Sequence, residues 1–360
     1  MRSEGILADP ALVRARAAPV RRSTGPLGIG LAGLGLAVVL AVSQGSVSIP
    51  VDTVLGLVLA KLGLTSGAAS WPASYETILF QLRLPRVVLA ALVGSALAVS
   101  GAAYQGVFRN PLADPYLIGV AAGAGLGATI ALVLPYGTAL ASAGLVPALA
   151  FLGALGAVAA AYRLGRVGRT VPTTTLLLAG VAISYLASSG TSLLMTMSGE
   201  QLRAVFSWLL GSFALAGWRQ VLVLLPYLAL GLGLVFVHAR LLNVLQLDEE
   251  QARQLGVDVE RVKLLVLVGA SLSTAAAVSV SGLIGFVGLV VPHVARLLVG
   301  PDYRALLPTC LAYGALALVL ADLVARTVLA PIELPVGIIT SFCGAPFFLY
   351  LLRGRKRMVM

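Results

Sequence analysis

The chain has 360 residues, of which 59% are hydrophobic and only 11% charged, and its mean hydropathy is +0.99. This balance excludes a soluble globular domain and predicts an integral membrane protein. The net charge of +11 would also suit a nucleic-acid partner, but most of the basic residues fall in loops on one face of the predicted topology. We therefore interpret the charge by the positive-inside rule, and we expect membrane lipid and no nucleic acid around this chain.

Ten apolar stretches are suited in length to a bilayer core of about 30 Å. In chain order they are residues 27–49, 87–108, 115–135, 144–162, 173–199, 221–237, 264–283, 284–298, 305–325 and 334–352. Because the number is even and the basic loops lie on the side of the termini, both termini are expected in the cytoplasm. The predicted fold class is an all-α integral membrane protein with about ten transmembrane helices per subunit.

The N-terminal region combines an Arg-rich stretch ending at Arg22 with an apolar run, as a secretory signal peptide does. The run 27–49 is longer than the apolar core of a usual signal peptide and nine more such stretches follow, so we interpret it as the first span. The predicted organisation is a cytoplasmic tail over 1–26, one transmembrane domain over 27–352 and a cytoplasmic tail over 353–360. Residues 45–82 are expected to form the longest outer loop.

The seventh and eighth predicted spans share only the 35 residues 264–298, so at least one of them must be short or broken. At their junction lie three glycines, Gly282, Gly285 and Gly288, followed by Pro292. Broken helices at membrane depth are tolerated only where they are buried in protein or line a cavity. This segment therefore points to a transport pathway.

The segment between the sixth and seventh spans is unusually polar, with nine charged residues between Ala239 and Leu264. Its centre predicts a short helix with acidic residues in the first turn, an arginine near the end and a terminal glycine, the charge order that the helix dipole favours. The residues are Asp248, Glu249, Glu250, Gln251, Ala252, Arg253, Gln254, Leu255 and Gly256. We interpret this helix as a surface for a partner outside the membrane, with an ordinary solvated loop as the alternative.

The sequence lacks the residue patterns that ATP hydrolysis, enzymatic catalysis and metal binding require. None of the three lysines stands in the Gly-rich pattern of a P-loop, so an ATP-driven process needs an ATPase in another chain, which would hold the ATP and Mg. The two histidines and two cysteines form no catalytic or metal-binding pattern, so no enzymatic activity and no bound cofactor are expected. Asp322 and Glu333 lie at span ends, which disfavours an ion-coupled carrier, because such carriers use carboxylates near the midplane.

Seven stretches, in this order, resemble the FecCD family, the permease subunits of ATP-driven ABC importers for iron-siderophores, haem and cobalamin. They are QLRLPR at 81–86, SGAAYQGVFRNPLADP at 100–115, LLLAGVA at 176–182, ARQLG at 252–256, GFVGLVVPH at 285–293, ADLVAR at 321–326 and ELPVG at 333–337. The resemblance covers nearly the whole chain from Gln81 onward. It implies a type II ABC-importer permease fold and a homodimer with a pathway on its two-fold axis, in the bacterial cytoplasmic (inner) membrane.

The resemblance also implies the partners and where they bind. Two ATP-binding subunits would bind on the cytoplasmic side, with the polar helix from Asp248 to Gly256 as the coupling helix pressed against them. A periplasmic or lipid-anchored substrate-binding protein would bind on the outside. Arg83 and Arg326 match the outer arginines that pair with acidic residues of that protein, where they would mainly set encounter rate and register. The alternative role for the two arginines is to anchor lipid headgroups.

The same resemblance assigns a cytoplasmic gate. Asn110 and Leu112, in an inner Asn-Pro-Leu turn, match one part of the gate, and Thr173 and Thr174, which open the fifth span, match the other. Simple capping of that span after Pro172 would also explain the threonines.

Two residues near the predicted outer mouth bear on the cargo. Arg203 would attract an anionic chelate or the propionates of a haem, or it is only a charge that flanks a span. Met197 would face a haem, or it fills a gap in the packing. We expect an iron(III)-siderophore or haem, because many family members import iron, with cobalamin as the alternative. Two other classes stay open: an ion-coupled secondary transporter, active without ATP, and a membrane scaffold.

Overall fold

The structure is a computed structural model, and it describes residues 24–45, 47–64, 71–134, 144–168, 170–247 and 249–356. Over these ranges the chain is almost entirely helical, and an isolated β-bridge pairs Val167 with Thr170. Long uncharged stretches form helices because a helix satisfies its own backbone hydrogen bonds, which a bilayer cannot do. Most of the predicted tail 1–26 and the last four residues of the tail 353–360 lie outside the described ranges.

The helices are labelled here in chain order. They are α1 Thr24–Ser43, α2 Val51–Lys61, α3 Ala73–Val107, α4 Val120–Val133, α5 Leu145–Gly165, α6 Thr173–Met197, α7 Leu202–Leu209, α8 Trp218–Val237, α9 Ala239–Val244, α10 Glu249–Gln254, α11 Val259–Ser281, α12 Val287–Val299, α13 Tyr303–Thr327 and α14 Val336–Lys356.

Each of the ten predicted spans coincides with one of these helices, which confirms the all-α membrane fold class. Seven helices in the described ranges are long and apolar enough to cross a bilayer, namely α1, α3, α5, α6, α8, α11 and α13. The apolar parts of α4, α12 and α14 are shorter. We call the end of the bundle where α3 ends and α11 begins the inner end, because the predicted topology assigns it to the cytoplasm, and the opposite end the outer end.

The described parts of the stretch 45–82, residues 45, 47–64 and 71–82, are largely helical, which corrects the expectation of a loop. They contain α2 and the first residues of α3, which begins at Ala73 and passes through a π-helical segment, Ile78–Arg83, before its apolar part. An ion pair between Lys61 and Glu76, at 2.9 Å, ties the end of α2 to the start of α3. The apolar sequence of α2, VDTVLGLVLAK, is itself typical of a helix too short to be counted as a span.

Helix α3 lies in the middle of the bundle and packs against α1, α8, α11, α12 and α13. Small residues allow this close packing: a Cβ atom at Gly94 would collide with the carbonyl oxygen of Gly314 in α13, and one at Gly101 with that of Gly288 in α12. In a membrane, such contacts replace the hydrophobic drive that water would provide.

The break predicted between the seventh and eighth spans is present, because α11 ends at Ser281 and α12 begins at Val287. Gly282 and Phe286 both adopt positive φ angles, 70° and 66°. Neighbouring groups satisfy the broken backbone. The Tyr116 hydroxyl donates to the carbonyl oxygen of Ile284 at 3.0 Å and accepts from its N–H at 3.1 Å. The segment is thus supported by protein, as a broken helix at membrane depth requires.

Candidate functional site

The polar helix predicted from sequence is α10, and it presents a hydrophilic face to the surroundings. Ala252 is fully buried against the rest of the chain, whereas Glu250, Gln251, Gln254 and Leu255 are exposed. The helix ends at Gln254, and Gly256, two residues later, has a φ of 80°, a left-handed conformation that suits glycine. Arg253 is also exposed, and Asp248, the first residue of the predicted segment, lies outside the described residues. The exposed side of α10 is open to a partner at the inner end.

Behind α10 lies a group of charges that we call the inner charge network: Arg109, Glu249, Arg253, Glu260 and Lys263. Glu249 is its centre. Oε1 of Glu249 lies 2.6 Å from Nζ of Lys263 and 3.2 Å from Nη2 of Arg109. Oε2 lies 3.4 Å from Nη2 of Arg253. Partial burial acts to raise the pKa of Glu249, but the hydrogen bond and charge of Lys263, together with both arginines, hold it below its ordinary value. The carboxylate is therefore ionised at neutral pH.

The network reaches the fifth span through Glu260. Oε1 of Glu260 lies 3.6 Å from Nζ of Lys263 and 3.9 Å from Nη2 of Arg253. Its other oxygen, Oε2, accepts a hydrogen bond of 3.1 Å from the backbone N–H of Val171. The Lys263 side chain is only 8% exposed, so its charge depends on these carboxylates.

The first part of the predicted gate is a tight turn directly after α3. Its side-chain hydrogen bond runs from the N–H of Leu112 to Oδ1 of Asn110, at 3.0 Å. Asn110 is exposed at the inner end, and Leu112 beside it is exposed as well. Arg109 precedes them with a φ of 49°, a left-handed conformation that is uncommon for a residue other than glycine. The turn therefore stands beside the inner charge network and is joined to it through Arg109.

The second part of the predicted gate is the first turn of α6. Thr174 is exposed and Thr173 is half-buried beside Glu260 and Lys263. The N-cap residue, Pro172, provides no side-chain cap, and it is the hydroxyl of Thr175 that donates to backbone carbonyls, at 2.7 Å to Gly165 and 2.9 Å to Pro172. Thr173 and Thr174 are thus not needed for capping. The structure places both parts of the predicted gate next to the same charges, and their role as a gate stays a prediction.

At the outer end, Arg83 and Arg326 are buried, with 6% and 7% exposure. Nη1 of Arg83 donates to the carbonyl oxygens of Val42 and Ser43, at 2.7 Å and 2.9 Å, and Arg326 donates to that of Ala41. These carbonyls end α1 and have no partner within their helix. The two arginines therefore hold the end of the first span in this conformation. Their contact with a binding protein stays a prediction.

Sequence reasoning missed an ion cluster beside these arginines. Asp322, 1% exposed, accepts three hydrogen bonds of 2.9–3.1 Å from Nε and Nη2 of Arg86 and lies 3.6 Å from Nε of Arg326. Glu333 binds Nη1 of Arg86 at 2.9 Å. The signal was present in the sequence, because a charge inside an apolar span needs a partner of opposite sign.

Helix α6 carries a stripe of exposed hydroxyl residues that was also missed. Its members are Thr174, Tyr185, Ser188, Ser189, Ser192 and Thr196. From Tyr185 onward they lie three, four or seven residues apart along one side of the helix, and Thr174 is on the same side eleven residues, about three turns, earlier. The exposed Leu178 and Val181 occupy that side in between. Helix α8 provides the contrast, because most of its exposed residues are apolar, among them Leu222, Leu225 and Leu230. Its exposed charge, Arg219, lies in the first turn, and Tyr227 adds a single hydroxyl group. Lipid suits the surface of α8 but not the α6 hydroxyl stripe.

The other predicted mouth residues, Met197 and Arg203, are exposed at the end of α6 and on α7. In the part of the chain that the structure describes, no cluster of three or more His, Cys, Asp or Glu residues is arranged to hold a metal ion. What the geometry offers is an exposed helix and a charge network at the inner end, an ion cluster at the outer end, and the α6 hydroxyl stripe between them.

Comparison with known proteins agrees with this arrangement. The model of the FecCD transport family matches residues 33–354. A Bacillus subtilis ABC transporter permease, YvrB, is 44% identical over 91% of this chain and 93% of its own length. A cobalamin import permease, BtuC of Halobacterium salinarum, is 45% identical over 86% of each chain. A hemin transport permease, HmuU of Yersinia pestis, is 44% identical over 78% of this chain and 84% of its own length.

A solved structure described as an inward-facing conformation of a metal-chelate type ABC transporter matches with a TM-score of 0.79 and 32% identity. The match covers 91% of this chain and 98% of that one. Sequence and fold thus agree over nearly the whole length of the chain, and the chain belongs to the FecCD transport family.

Proposed function

We propose that this chain is the membrane permease subunit of an ATP-driven importer for a large metal chelate, in a bacterial cytoplasmic membrane. Two ATPase subunits bind the exposed face of α10, and a substrate-binding protein binds at the outer end. Support comes from the family, whose members named above include permeases for cobalamin and hemin. It also comes from the position of α10, which projects a polar face from the inner end of an apolar bundle.

The observation that carries the proposal is the α6 hydroxyl stripe. A row of hydroxyl groups facing lipid is unfavourable wherever the helix backbone does not already accept their hydrogen bonds, as Leu193 does for Thr196, because hydrocarbon offers no other partner. A second copy of the chain, related by a two-fold axis beside α6, would place the two stripes face to face around a water-filled pathway. We therefore propose a homodimer with the pathway between its subunits, opened and closed by rigid-body movements of the spans.

For the cargo, we propose an iron(III)-siderophore or haem. Helix α6 has no charged residue along its length, so the stripe favours a large substrate that is recognised by size and by hydrogen bonds. Cobalamin is the second candidate, and one observation favours it: the cobalamin permease of Halobacterium salinarum shares 45% identity over 86% of this chain. The exposed Arg203 on α7 would add attraction for an anionic chelate.

An ion-coupled secondary carrier is disfavoured by the surroundings of Asp322. A carboxylate that carries protons or sodium must be able to release its partner and change its charge. Asp322 is instead paired with two guanidinium groups at the outer end of α13. A membrane scaffold would not explain a hydroxyl stripe inside the membrane region.

The test is reconstitution of the chain in vesicles with its ATPase and its binding protein. The binding protein is loaded in turn with a ferric siderophore, haem and cobalamin, and both ATP hydrolysis and uptake are measured. We expect one loaded form to stimulate both activities, which identifies the cargo. Uptake that persists after the ATPase subunit is inactivated would refute the proposal and favour a secondary carrier.

A further inference from the structure

We propose that Glu249 is the residue through which a movement of α10 reaches both parts of the predicted inner gate, at residues 110–112 and 173–174. This inference rests on the proposed function, because it takes α10 as the helix that contacts the ATPase. Its basis is that the inner charge network connects four separate segments. They are the turn after α3, helix α10, the start of α11 and the loop before α6.

The first step is the pair of Glu249 and Lys263, which belong to α10 and α11. The contact of 2.6 Å joins a carboxylate that is 27% exposed to an ammonium group that is 8% exposed. If α10 moved alone, Lys263 would lose its closest negative partner and keep only the longer contact of 3.6 Å with Glu260, which is unfavourable for an ammonium group shielded from water. Helix α10 and the first turns of α11 are therefore expected to move together.

The second step is Arg109, which connects Glu249 to the turn after α3. Its guanidinium group contacts Oε1 of Glu249 at 3.2 Å and the carbonyl oxygen of Leu247 at 3.2 Å. Both atoms lie next to or within α10. The left-handed backbone of Arg109, with a φ of 49°, is disfavoured for this residue type and persists only where surrounding contacts hold it. A shift of α10 that loosens these contacts thus favours a change in the turn that carries Asn110 and Leu112.

The third step leads to the fifth span through Glu260. This residue shares Lys263 with Glu249 and accepts the backbone N–H of Val171, two residues before Thr173. Val171, Thr173, Glu260 and Lys263 also line one small cavity, together with Phe108 at the end of α3. A displacement of Lys263 therefore changes the packing at both the end of α3 and the start of α6. One carboxylate on the coupling helix thus controls both parts of the gate.

The test uses the full complex of permease, ATPase and loaded binding protein in vesicles, and measures cargo taken up per ATP hydrolysed. Glu249→Gln keeps the size of the side chain but weakens its hold on Lys263 and Arg109. We expect the variant to assemble with the ATPase and to hydrolyse ATP, while uptake per ATP falls about tenfold, within the usual range of coupling between sites. A purely structural residue would lower assembly, hydrolysis and uptake together.

The matched control is Arg304→Gln, which breaks another exposed ion pair of the inner end, with Asp302 at 2.7 Å, and leaves both α10 and the inner charge network intact. We expect wild-type uptake per ATP from it. The double variant Arg109→Gln/Glu249→Gln should be no worse than Glu249→Gln alone, because both changes break the same connection. Equal behaviour of the Glu249 and Arg304 variants would overturn the proposal, and so would loss of ATPase binding in the Glu249 variant. Absence of ATP-dependent uptake by the wild type would instead refute the proposed function.

Discussion

Replacement of Asp322 by asparagine should destabilise the outer end of the bundle. Asp322 lies between the guanidinium groups of Arg86 and Arg326, and the three side chains are 2%, 12% and 6% exposed. Asparagine keeps the volume but removes the negative charge, which leaves two shielded cations facing each other. Breaking a buried pair in this way typically costs about 3–5 kcal/mol. The matched control is Glu333→Gln, whose side chain is 44% exposed and also binds Arg86. Exposed pairs contribute about 1 kcal/mol or less.

The assay is thermal unfolding in detergent, and unfolding is monitored by the reaction of a thiol-sensitive dye with Cys310. This cysteine is fully buried, so it reacts only when the bundle opens, while the exposed Cys343 is first replaced by serine. We expect the Asp322 variant to unfold several degrees below its parent and the Glu333 variant to unfold close to it. If both variants unfold at the same temperature as the parent, the ion cluster does not stabilise the fold and our reasoning about the outer end is wrong.

Three further changes test other parts of the structure. Burial raises the pKa of Asp114 from its ordinary value of 3.8 to about 6. Folding therefore favours the protonated acid, and this contribution to stability is lost as the pH rises through about 6. The free energy of unfolding of Asp114→Asn, measured by thermal unfolding, should exceed that of the parent by about 3 kcal/mol at pH 8 and by little at pH 4. Gly94→Ala should lower the free energy of unfolding by about 1–3 kcal/mol, because the added Cβ atom collides with α13. Gly233→Ala, where a Cβ atom would meet open space, should leave stability unchanged. Equal melting temperatures of the two variants would contradict this. In the assembled transporter, Ser192→Cys should react with a water-soluble thiol reagent and Leu222→Cys should not, because only α6 faces water in our proposal; equal labelling would refute the pathway assignment.

The helices of the bundle were predictable because the bilayer leaves an uncharged run of about 20 residues few alternatives to a helix. The break at Gly282 was predictable for a related reason, since 35 residues are too few for two full crossings. The polar helix around Glu249 followed from its charge order and its terminal glycine. All three depend on local sequence and on one physical constraint, the thickness of the membrane.

The partners of the charged residues were not predictable, because they are distant in the sequence. Arg83 lies about 40 residues from the carbonyl groups that it holds, and Arg326 lies 285 residues from Ala41. The positive-inside rule assigns charged residues to one side of the membrane and does not predict their contacts, so both arginines were expected on an open surface. The pairing of Lys61 with Glu76, which joins the end of α2 to the start of α3, was likewise not predictable from either residue alone.

The two ends of the bundle use their charges differently, and this difference fits the direction of coupling. At the outer end a cluster of charged side chains is largely buried, and its members bind backbone carbonyls or each other, which fixes the end of α1 against α3 and α13. The cluster consists of Arg83, Arg86, Asp322 and Arg326. At the inner end one carboxylate, on Glu249, contacts three cations from three segments, and every member except Lys263 is at least a quarter exposed. Groups that water can solvate exchange partners at lower free-energy cost than buried ones. A bundle built this way resists distortion at the outer end and can rearrange at the inner end, where an ATPase would act.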